Sequence, residues 1–169
     1  MISPEHVRLM ARYNRWQNES HYREAAKLTD AQRREDRGAF FKSIHGTLSH
    51  LVWGDGMWLS RFAATPKPKA KSGAESPFAY DSFEELHADR IRLDGMIEDW
   101  AAGLDAAYLA GDLVWFSGIS QRELTKPRWL AITHFFNHQT HHRGQAHAML
   151  TSFGCKPDAT DVVFMPDSW

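Results

Sequence analysis

Cysteine occurs once in this chain, at position 155. A single thiol forms no internal disulfide and builds no cysteine-rich metal site. A reducing, cytoplasmic setting is therefore expected, and any bound metal must find other donors. Charge of one sign is also missing: 20 basic residues stand against 21 acidic ones, for a formal net charge of −1. That balance provides no footprint for nucleic acid. Long apolar runs are absent too. The opening MISPEHVRLMARYNRWQ is charged and has no apolar h-region, so no signal peptide is expected. No stretch approaches the roughly 18 apolar residues of a spanning helix, so no membrane association is expected. There is no glycine-rich phosphate loop, no nucleophile elbow and no H-E-x-x-H protease motif. Cys155 follows a predicted helix C-terminus, where the dipole disfavours a thiolate nucleophile.

What is present is a large apolar and aromatic content, 43% hydrophobic residues with seven Trp and ten Phe, enough for one real core in 169 residues. The pattern predicts an all-α chain of four long helices. The first runs from about Ser3, a capping residue before Pro4, to Leu28. Thr29 and Asp30 open a short turn before Gly38. The second helix runs from about Phe40 to Phe62, with Ile44, Leu48, Leu51, Trp58 and Phe62 at helical spacing. Pro66, Pro68, Gly73 and Pro77 then forbid a continuous helix. So long a joint suits a crossover connection. The segment Thr65–Tyr80, basic at its start, is read as solvated, with a border to a cavity as the alternative. The third helix starts at Asp81 in DSFE and ends near Gly103. Two extended runs, Leu113–Ser117 and Gln121–Thr125, flank GIS and predict a small β-hairpin. The fourth helix opens at Pro127 and runs to about Phe153, with Gly154 as its stop.

Two stripes are interrupted by polar residues. At about 100° per residue, Gln139 and Arg143 fall within the apolar stripe of Ile132, Phe135, Phe136, Ala146, Leu150 and Phe153. Asp55 falls within the stripe of the second helix. A charge on an apolar face must be paired or stay wet. One misplaced Asp and one misplaced Arg predict each other as partners, a buried Asp55–Arg143 pair that braces the site. The alternative is that either side chain reaches solvent or caps a loop.

The segment NHQTHHRGQAH, residues 137–147, holds four of the ten histidines. His138 and His142 are four apart, one above the other on one helix face, a spacing that presents two imidazoles to one cation. His134 continues the row. His50, on the second helix, lies off its apolar stripe, with Gly46 and Gly54 one turn to either side, leaving room for a metal, a water or a ligand. Spacing alone leaves the histidines open between metal binding and an ordinary helix surface. His6, His21 and His87 are read as surface residues, His45 as structural and His147 as outside any site. His141 is read as peripheral to the row or on the surface.

The stretches SIHGTLSHLVWGDGMWLSRF and FFNHQTHHRGQAHAML, with ARYNRW near the start and PDATD near the end, resemble the signatures of the DinB/YfiT-like superfamily. The resemblance covers essentially the whole chain. It implies one domain over residues 1–169, a four-helix bundle with an up-down-down-up crossover, and a metal site in which His50, His138 and His142 are the ligands. It also implies kinship with enzymes that use low-molecular-weight thiols, and a homodimer.

Three imidazoles accept zinc, nickel or manganese and leave open coordination positions. The expected function is therefore a metal-dependent thiol S-transferase, or a related hydrolase, acting on a small-molecule substrate through an activated thiol or water. Asp55 and Arg143 would hold the helices that carry the ligands, and Tyr13 and Asn14 could touch the substrate. The alternative is a non-catalytic stress-response module that binds metal or a small ligand.

Overall fold

Local capping chemistry determines where the helices begin. Ser3 accepts a hydrogen bond from the His6 amide, with Pro4 next, and α1 runs over Pro4–Ala25. The computed structural model describes residues 2–118 and 120–169. Thr29 and Gln32 form a reciprocal capping box for the short α2, Asp30–Arg34. The second long helix, α3, spans Ile44–Ala63 rather than starting at Phe40. Ser43 caps it by accepting from the Gly46 amide, and Lys42, at φ 68°, turns the chain sharply just before. Phe40 and Phe41, which fit a helical period in sequence, therefore sit in a tight turn bridged between Ala39 and Lys42.

α4 spans Phe83–Ala102, with Ser82 rather than Asp81 as its cap. A short α5, Ala106–Ala110, follows under an Asp105 cap and has no long-range periodic signal in the sequence. The hairpin is present as β1, Asp112–Ser117, and β2, Arg122–Pro127, antiparallel with Trp115 opposite Leu124. Residue 119, in the middle of the predicted GIS turn, lies outside the described residues. The last long helix, α6, spans Arg128–Ser152 and stops at Gly154, whose φ of 79° suits glycine.

The fold is thus mostly helical with one small hairpin. α1 and α3 each pack against both α4 and α6. The shared interior holds the predicted stripes: Ile44, Leu48, Leu51 and Phe62 from α3, and Ile132, Phe135, Phe136, Ala146 and Leu150 from α6 are buried, while Trp58 and Phe153 are half-buried. Each fully buried Leu, Ile or Phe among them contributes roughly 1.5–3 kcal/mol by leaving water. The irregular tail is strapped to α1: the Tyr13 hydroxyl donates to the Thr160 carbonyl at 2.6 Å and Gln17 to the Ala159 carbonyl at 2.8 Å. Among the described residues no helix is long and apolar enough to cross a membrane.

Candidate metal centre

His50 from α3 and His138 and His142 from α6 converge on one point. Their ring centroids are 4.5 to 5.2 Å apart, and one ring nitrogen of each lies within 4.8 Å of the others. The Nε2 atoms of His50 and His138 are 3.2 Å apart. His50 and His142 are buried and His138 is half-buried. Gly54 makes this approach possible, because a Cβ there would lie 2.8 Å from His138 Cε1.

Neighbouring groups fix which nitrogen is free on two of the three rings. His50 Nδ1 lies 2.8 Å from Ser76 Oγ, whose own hydrogen goes to the Gly73 carbonyl. The hydroxyl must therefore accept from His50 Nδ1–H, which leaves a lone pair on Nε2. His142 Nδ1 donates to Gln145 Oε1 at 2.9 Å, which likewise frees its Nε2. His138 Nδ1 is buried without a partner. Burial, and then the neighbouring imidazoles, push His50 down to about 3 and His138 to about 4; burial also lowers His142. All three rings are neutral at neutral pH, the form that ligates a cation. This donor set fits a divalent metal: neutral nitrogens from two helices, two of them held in the ligating tautomer by outer partners. Phe41 stacks on His50 at 3.8 Å, and Trp53 lies 5.5 Å from it.

Other sequence expectations fare unevenly. The Asp55–Arg143 pair does not form. Asp55 is met instead by Arg90 of α4, which donates to it at 2.7 Å and also reaches Asp94 at 2.9 Å. Arg143 donates to the Asn14 side chain of α1. Both residues are buried, as their positions in the stripes require, and the Arg143 charge still acts on Asp55 at longer range. The sequence reading missed Arg90 because it interrupts no clean stripe on α4. Burial pushes the Asp55 carboxyl up despite Arg90, and Asp94 up to about 6. Gln139 of α6 is fully buried, and its side-chain amide bears on Asp55 and lowers its carboxyl.

The Thr65–Tyr80 segment is not merely solvated. Its turn Ser76–Phe78 carries the hydroxyl that orients His50. Gly46 leaves room for the Phe41 backbone rather than for a ligand, since a Cβ there would lie 2.5 Å from the Phe41 carbonyl oxygen. His134 packs on Trp58 at 5.0 Å and stays outside the triad. His141 is exposed against His142, and His147 lies against His21. His45 is structural, bonded to the Tyr80 carbonyl. His6 is exposed as expected, but His21 is buried and His87 is half-buried on Tyr22. Tyr13 and Asn14 are engaged by the tail and by the Asp94–Arg143 network, not by the triad.

The DinB family model matches residues 1–169. The chain belongs to the DinB family. No curated protein matches it. For this DinB chain, family membership and the clustered His50, His138 and His142 together define a site that could hold a metal ion.

Proposed function

We propose that this DinB-family chain is a metal-dependent enzyme, a thiol S-transferase or a related hydrolase, with His50, His138 and His142 as the ligands of a zinc, nickel or manganese ion. The observation that carries the reading is the convergence of three neutral imidazoles whose outer hydrogen bonds leave Nε2 of His50 and His142 free. A divalent cation held there would lower the pKa of a thiol or water and polarise a small electrophile. The chain's own residues prepare for this. Ser76 and Gln145 hold two rings in register, and Phe41 and Trp53 pack against His50. On this reading the long helices form an up-down-down-up four-helix bundle. In support, His50 lies beside His142 and Phe62 beside Phe135, so α3 runs against α6. Tyr22 lies beside Phe83 and Arg8 beside Leu104, so α1 runs against α4. Asp55 with Arg90 and Phe62 with Trp100 set α3 and α4 side by side in one direction.

The test is metal analysis of the purified protein and of His138→Ala, with helicity followed by circular dichroism, and then a thiol panel against chlorodinitrobenzene. Loss of metal with helicity retained, and metal-dependent turnover with at least one thiol, are expected. Unchanged metal content in the variant would overturn the ligand assignment. Metal binding without turnover for any thiol, or for water, would leave a binding module.

A further inference from the structure

Among the described residues, half-buried Arg61 forms no ion pair, and its N–H groups are not sealed from solvent. Among the described residues, every other buried or half-buried arginine meets an oxygen: Arg8 the Leu104 carbonyl, Arg33 that of Leu28, Arg90 Asp55, Arg128 the Tyr108 carbonyl and Arg143 Asn14. Arg61 itself meets no oxygen among the described residues, and no carboxylate acts on it. Burial lowers its pKa, and no carboxylate opposes that shift. Its guanidinium lies in a corner of two indoles, 4.5 Å from the Trp58 ring centre and 5.8 Å from that of Trp115, with the indoles packed edge to face at 5.6 Å. A guanidinium lying against ring faces keeps its N–H edge free for a planar acceptor.

The corner adjoins the triad. Trp58 packs on His134 at 5.0 Å, and His134 lies 5.9 Å from His138. Arg61 returns to within about 20° of the α3 face that carries His50, and it stands about 10 Å along the helix axis from Gly54, which abuts His138.

We propose that Arg61 is the anion-binding end of the site. The ligand is a small molecule whose carboxylate, about 10 Å from the group that reaches the histidines, accepts a forked pair of N–H bonds from Arg61 between Trp58 and Trp115. This assignment rests on the metal reading above and names the substrate class for it.

The experiment uses the full chain loaded with cobalt(II). Mercaptooctanoate, the equally long neutral mercaptooctanol, and mercaptoethanol are titrated, and binding is read from the thiolate-to-cobalt absorption band. The carboxylate is expected to bind about tenfold more tightly than the alcohol. Arg61→Gln removes that preference while cobalt content is unchanged, and Arg61→Lys keeps part of it. Equal affinities for acid and alcohol in the unsubstituted protein, or a preference that survives Arg61→Gln, overturns the assignment. Failure to take up cobalt, or no band with any of the three thiols, removes the metal reading and this inference with it.

Discussion

Gly54 stands where a methyl group would meet the His138 ring, at 2.8 Å. Alanine is the better helix former by roughly 1 kcal/mol, so stability and function should move in opposite directions at this position. Gly54→Ala is expected to melt no lower than the unsubstituted protein while its metal affinity falls on the order of tenfold, as for a disturbed outer partner of a ligand. Thermal melting and metal titration read the two effects separately, and an unchanged affinity would show that the His138 ring moves aside freely. The sequence placed Gly54 on the His50 face and read its smallness as space. That reading was right in kind, but the space is filled by an imidazole of the site itself. Ser76 had no comparable signal. It is 26 residues from His50, in a segment whose prolines announce only that no helix runs there.

At the level of elements, some helix ends were legible from a side chain that answers an orphan amide, and others were not. Ser3 and Thr29 were identified that way and Gly154 by its role as a stop, whereas the start of α3 was missed. Phe40 and Phe41 continue the apolar period past the true cap, and the turn at Lys42 with the Ser43 hydroxyl, which accepts from the Gly46 amide, ends it. Ser43→Ala should lower unfolding free energy by about 1 kcal/mol, the usual worth of such a cap, and a urea titration measures it. No change would mean that the turn at Lys42 holds the helix start without the cap. This turn also matters to the site, because it places Phe41 flat against His50.

Across the whole molecule, the interior is crossed by a charged network. Arg90 of α4 joins Asp55 of α3 to Asp94, and Asn14 and Asn18 of α1 donate to Asp94. Burial opposes the charge of Arg90, but the two carboxylates more than offset it, so its pKa is raised. Removing that one cation strands two buried carboxylates. Arg90→Met is therefore expected to cost about 3–5 kcal/mol in denaturant unfolding. A loss below about 1 kcal/mol would show that Asp55 and Asp94 protonate at little cost once the cation is gone.

By itself the sequence determined the long helices, the hairpin, the polar interruptions of two stripes and the pair His138 and His142, because each follows from spacing within one element. Which charge meets which was decided by tertiary structure. Asp55 pairs with Arg90 of α4 rather than with Arg143 of α6, and a period read along one helix carries no information about the rotation of its neighbour. The outer partners of the histidines were settled in the same way, by loops whose path depends on what they pack against.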